Sequence, residues 1–375
     1  MKKIKYFRKC FGIIFILLIL FKVNYSQTSS NIPFTFNINC PDSIKFSEVP
    51  YILMPLIDND SLILRDSMGS NDRYNFGEVF DVNINVLTQG RWQQLSDGSK
   101  LCRLKIISSN AYAIYFIYNN FLLSDSSKLF IYNNSRSMVL GPFTDLNNNS
   151  HNSFSTQLVN GDTMILEYQE YINNFDSAQI QISQIIHDYR NIMNFPDGPH
   201  GTSDLECQIN VACPQGNDWQ NEIRSVGLIT VGGGLCSGAL LNNMHEDGTP
   251  YFLTACHCID NNGDGVISNS EQNEAQNMVI YFNHEAGKCG NNTWNDLQTI
   301  SGAGLLSYSP NSDFALFLLN YTPPSNFGIH FAGWSRENAP ATSSVGIHHP
   351  KGDIKKISLD NGPAYNQWWT QPWTE

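Results

Sequence analysis

Basic residues are scarce in this chain. It carries 22 Lys and Arg against 34 Asp and Glu, a formal net charge of −12. Five of the cations, Lys2, Lys3, Lys5, Arg8 and Lys9, sit together at the N-terminus. Long apolar runs are missing as well: the run Phe11 to Phe21 is short for a bilayer crossing, which needs ~20 residues. A basic cluster, a short apolar run and small or polar residues in that order read as a secretory signal over residues 1–27. Without it six cations leave (the five above and Lys22), so 16 positive charges face 34 negative ones, a balance of −18. That excludes a nucleic-acid partner, which needs a concentrated basic face. It predicts a soluble, secreted protein without a stable membrane anchor.

Helical periodicity is nearly absent too. Between Gln27 and about Asn173 short alternating runs such as "FDVNINVL", "LCRLKIISS", "AYAIYFIY" and "KLFIYN" are separated by Asn, Asp, Ser and Gly. Period-two alternation with such punctuation predicts antiparallel strands. A cluster of Pro and Gly, Pro196 to Gly201, ends the first block and places a boundary near residues 190–204. A second β-rich block follows, with strands expected at "SVGLITV", "CSGALL", "YFLTA", "MVIYFN" and "FALFLL" and a short helix only after Glu271. The expectation is an all-β protein of two units. "VGGGL" at Gly232–Gly234 has no following helix and lysine to bind phosphate and reads as a hairpin turn.

Cys40, Cys102, Cys207, Cys213, Cys236, Cys256, Cys258 and Cys289 remain once Cys10 leaves with the signal. In an oxidising compartment they imply disulfides, with the pairing open. "TACHCIDNNGDGVISNSE", Thr254 to Glu271, sets His257 between two of them. Zinc on Cys256, His257 and Cys258 is disfavoured, because structural zinc motifs space their cysteines by two to four residues and neighbours on an extended chain face apart. His257 ends one apolar stretch and Asp313 begins another, "SDFALFLL". A buried Asp that holds one ring nitrogen is what a general-base histidine needs.

With "CQINVACP", "RSVGLITVGGG", "LCSGALLNN", "YFLTACHC", "SDFALFLLN", "AGWSR" and "GIHHPKGDIKKIS", the chain from about Gly201 to Ser358 resembles secreted trypsin-like serine proteases of the lysyl endopeptidase group, which implies a protease domain over 201–375. Residues 28–200 resemble that group's propeptide more loosely. The resemblance implies a chymotrypsin-like double β-barrel, polypeptide substrates cut after lysine, and a propeptide that inhibits or chaperones its own protease. It assigns His257 as general base and Asp313 as its orienting carboxylate, and it pairs Cys236 with Cys258 and Cys213 with Cys289. Cys207 would bridge to the second barrel, Cys256 has no counterpart, and Cys40 is a candidate partner for Cys102. The group's mature chain begins at a glycine before its first cysteine, which points to Gly201.

The nucleophile is missing from the pattern. No Gly-x-Ser-Gly follows Asp313, and Ser237 sits in a strand the group uses as barrel core. The expectation is therefore a protease whose sequence stops before its serine, with the second barrel incomplete and the chain as given inactive. The rival is a non-catalytic, protease-like binding protein. His348 and His349 read as packing near the cleft, and Trp368, Trp369 and Trp373 as a substrate rim or unfinished core.

The acidic stretch beside His257 fits the pattern D-x-[DN]-x-[DN]-G-x₅-E. Asp260, Asn262 and Asp264 fill its first three ligand positions, Val266 offers a carbonyl, Ser268 follows and Glu271 closes the loop. A structural calcium ion is expected there, with no cofactor required for catalysis.

Overall fold

The computed structural model describes residue 27 and residues 31–68, 73–171, 178–192, 208–290, 298–337 and 339–364. The signal except residue 27, most of the interunit boundary, Gly201, Cys207 and the three C-terminal tryptophans lie outside these residues. Among the described residues strands dominate, as the alternating runs require.

The N-terminal unit contains β1 (Tyr51–Leu53), β2 (Tyr74–Asn75), β3 (Gly77–Asn85), β4 (Arg91–Gln94), β5 (Lys100–Ile107), β6 (Ala113–Leu122), β7 (Lys128–Asn133), β8 (Val139–Phe143), β9 (Phe154–Ser155), β10 (Val159–Asn160), β11 (Thr163–Glu170) and β12 (Gln179–Asp188). One sheet runs β1-β5-β11-β7-β8 with β4 beside β5, and the other runs β10-β6-β12-β3 with β9 beside β6. Both sheets turn alternate residues inward, and Leu104, Ile106, Phe116, Tyr118, Leu166 and Ile182 meet in one buried cluster. This is a sandwich held by burial, worth about 25 cal/mol per Å² of apolar surface.

The C-terminal unit contains β13 (Ile209–Asn210), β14 (Val226–Val231), β15 (Gly234–Leu241), β16 (Tyr251–Thr254), β17 (Val279–Phe282), β18 (Gln298–Ser301), β19 (Ala303–Ser309), β20 (Phe314–Leu319), β21 (Ser344–His348) and β22 (Lys356–Asp360). Its main sheet runs β18-β17-β14-β15-β16-β20-β19. The two outermost strands are successive parts of the chain, joined at Gly302 with φ +85°. Such a sheet must curl, and Ile229, Phe252, Ile280, Phe282 and Phe317 fill its concave side. A smaller three-stranded sheet, β13-β22-β21, packs Val211, Ile223 and Ile357.

The two units share a third cluster, in which Phe76, Tyr115 and Ile186 of the first meet Leu228, Leu235 and Tyr281 of the second. β2 pairs with β15, so the main sheet of the C-terminal unit ends up with a strand from the N-terminal one.

Candidate active site

β16 and β20 lie antiparallel, with Thr254 opposite Ala315. Three residues beyond Thr254 the chain has turned into a 3-10 turn, Cys256–Cys258. Two residues before Ala315 stands Asp313, in the left-handed region at φ +46° after the turn Pro310–Ser312. The pairing register therefore delivers His257 and Asp313 to the same end of the sheet. Nδ1 of His257 lies 2.7 Å from Oδ2 of Asp313, and the His257 backbone N–H donates to Oδ1 at 2.9 Å. One carboxylate thus fixes both the ring and the turn that carries it. The His257 side chain is 33% exposed, which leaves Nε2 for a reacting group.

A disulfide between Cys236 and Cys258 ties the turn to β15, and the Thr254 hydroxyl donates to the Ser237 carbonyl at 2.8 Å. The second expected disulfide, Cys213 to Cys289, is present as well. Sγ of Cys236 and Cys258 and the His257 ring lie close enough to suggest a metal site. The bond between the two sulfurs removes both thiolates, so the cluster has no zinc set. Zinc is disfavoured by that bond and not by strand geometry, because Cys256, His257 and Cys258 occupy a turn and not an extended segment.

Cys40 and Cys102 do not pair. Each is a buried free thiol in a different apolar cluster, and burial pushes Cys102 up to about 12. Cys256 is also a buried free thiol, raised to about 11 first by burial and then by Asp313 and its acidic neighbours.

Ser237 lies in β15. Its Oγ accepts the His349 backbone N–H at 2.8 Å. His349 itself is buried, with Nδ1 2.9 Å from the Asp353 carbonyl and its ring stacked on His284 at 5.8 Å between centroids. Beside it Lys355, fully buried, donates to the Ile223 carbonyl and to Glu285 at 2.8 and 3.0 Å. The pair His348–His349 thus contributes one half-buried strand residue and one core histidine.

In the acidic loop Asp260 accepts Gly263 N–H through Oδ1 and Gly265 N–H through Oδ2, both at 2.8 Å, while Asp264 accepts Val266 N–H at 2.7 Å. Gly265 has φ +74°, which suits glycine. Ser268 and Glu271 form a capping box on the helix Asn269–Gln276, and Glu271 also accepts Asn261 N–H at 2.8 Å. The pattern is folded as a closed loop in which every carboxylate already holds amides.

One group near the site had no signal in the sequence. Arg73, from the N-terminal unit, donates to the Cys258 carbonyl at 3.4 Å and lies 3.7 Å from Glu274. No local pattern announces a contact across 185 residues.

Residues 200–374 match the family model described as lysyl endopeptidase, C-terminal domain. A lysyl endopeptidase of Pseudomonas aeruginosa is 33% identical over 135 residues, which cover 35% of this chain and 27% of that protein. The chain thus spans about a quarter of the length of the curated relative it matches.

Proposed function

We propose that the protein is a secreted serine-type endopeptidase made as a zymogen, with residues 28–200 as its β-rich propeptide and a chymotrypsin-like catalytic part after them. His257 is its general base and Asp313 the carboxylate that orients the base. The observation that carries this reading is the double contact of Asp313, to Nδ1 and to the backbone N–H of His257. With Nδ1–H donating to the carboxylate, Nε2 is left as the proton acceptor, and the carboxylate stabilises the imidazolium that forms when a serine gives up its proton. The serine in this reading lies outside these 375 residues, together with the backbone amides that would hold the tetrahedral oxyanion.

The likeness to lysyl endopeptidases supports polypeptide substrates cut after lysine. The pattern D-x-[DN]-x-[DN]-G-x₅-E in the sequence supports a calcium ion held by Asp260, Asn262, Asp264, the Val266 carbonyl, Ser268 and Glu271, in a structural role that stiffens the chain after the base.

The test is to express the whole reading frame, incubate the product with a denatured polypeptide rich in lysine and map the cuts by mass spectrometry. Cleavage after lysine in the parent and its loss in His257→Ala is the expected result. Intact polypeptide in both would overturn the reading in favour of a non-catalytic binding protein.

A further inference from the structure

The three glycines Gly232–Gly234 do more than turn a hairpin. A Cβ on Gly232 would stand 1.9 Å from Oε1 of Glu274, one on Gly233 would stand 2.0 Å from the Gly77 carbonyl, and one on Gly234 would stand 2.1 Å from Nε of Arg73. Two of these obstacles belong to the N-terminal unit and the third, Glu274, is the partner of Arg73. Gly232 needs its φ of +52° for the turn, but a turn alone explains neither of the other two. Gly233 makes room for the Gly77 backbone, and Gly234 makes room for the Arg73 side chain.

What approaches is an extended segment. Asn75 and Tyr74 pair with Gly234 and Leu235, and the Phe76 and Gly77 amides both donate to the Gly233 carbonyl at 2.8 and 3.1 Å. The Tyr115 hydroxyl donates to the Gly232 carbonyl. This contact takes a particular edge. β16 pairs with β15 only over Ala239–Leu241, so the part of β15 at Gly234–Leu235 would be open on that side without β2. It is also the part next to Cys236, whose disulfide holds the His257 turn. Arg73 spans the gap between them, with one nitrogen directed at both Glu274 and the Cys258 carbonyl. An open strand edge is a ready acceptor for an extended polypeptide.

We infer that residues 73–77 form an internal strand latch, received by Gly232–Gly234, that occupies the β15 edge beside His257 and keeps extended polypeptides off it while the N-terminal unit is docked. The docking half stands on the contacts alone. The regulatory half rests on the reading of His257 as a peptidase base.

The experiment uses the full chain and needs no cleavage. Amide hydrogen exchange is followed at Phe76 and Gly77, and binding of a fluorescent, reduced and carboxymethylated polypeptide is followed by anisotropy, in the parent, Gly233→Val, Gly234→Val and the pair Arg73→Ala with Glu274→Ala. Expected are slow exchange and weak binding in the parent, and in the variants at least about tenfold faster exchange together with at least about tenfold tighter binding. Unprotected Phe76 and Gly77 amides in the parent would overturn the latch. Loosened amides with unchanged polypeptide binding would overturn its regulatory role. Should the valine variants fail to fold, the Arg73 and Glu274 pair, which leaves the glycine turn intact, decides by the same readouts. A peptidase reading that failed in its own cleavage test would leave the exchange result standing.

Discussion

Acid should loosen the C-terminal unit at its buried histidines. Burial pushes His284 down to about 3 and His349 well below its ordinary value, with the Lys355 ammonium beside both as a further cause. Both rings are therefore neutral in the folded protein, while in the unfolded chain a histidine takes up its proton near pH ~6.5. The folded-state values are depressed, so the unfolded state binds more protons below pH ~6.5 and stability falls as the pH falls through that point. His284 contributes a loss of about 1.4 kcal/mol per pH unit, roughly 2.5 kcal/mol between pH ~6.5 and ~4.5, and His349 acts in the same direction. That is a sizeable part of the whole stability of many domains, about 5–15 kcal/mol.

The N-terminal unit answers differently, because buried Asp188 is raised to about 7 while its neighbour His187 is lowered to about 4, both by burial. A raised carboxyl contributes stability at low pH that is lost as the pH rises through about 7, which offsets the loss at His187. The assay must therefore be local. Hydrogen exchange of β17 and β22 with urea, at pH 7.5 and at pH 5, reads the unit that holds His284 and Lys355. The protection lost in acid should shrink in His284→Gln and in His349→Gln. Equal protection of β17 and β22 at both pH values in the parent would refute the reasoning.

Three further outcomes follow from other contacts. In the product of the whole reading frame, Asp313→Asn should lower turnover on lysyl peptides by about 10⁴ with little change in KM, because the ring loses its tautomer and not its substrate contacts; an unchanged rate would remove Asp313 from the mechanism. Replacing Cys213 and Cys289 by Ala opens a loop of 76 residues and should cost about 4 kcal/mol in a denaturant titration. Calcium should raise the thermal midpoint of the parent and leave that of Asp260→Ala unmoved, and identical parent melts with and without calcium would count against the proposed ion.

Much of the fold was readable because burial on a sheet imposes a period of two. "KLFIYN" and "FALFLL" are β7 and β20 to the residue, and the others differ by a few residues at their ends. The candidate pair was readable for a different reason. His257 and Asp313 each border an apolar strand, and neighbouring strands bring such borders together. What stayed hidden was long-range. Cys40 and Cys102 looked alike in sequence but fall into separate clusters, a distance no spacing encodes. The calcium pattern gave the loop but not its capping box, since Ser268 and Glu271 serve a helix N-terminus equally well. Gly233 and Gly234 read as part of a turn because what needs their bareness, the Gly77 backbone and the Arg73 side chain, arrives from more than a hundred residues away in the chain.

The most direct test of the central claim is covalent labelling of the product of the whole reading frame with a fluorophosphonate, read by mass spectrometry. The account predicts one adduct on a serine in the parent, strongly reduced in His257→Ala, where no base remains to take the serine proton. No adduct in the parent, or one that forms equally fast without His257, would contradict it.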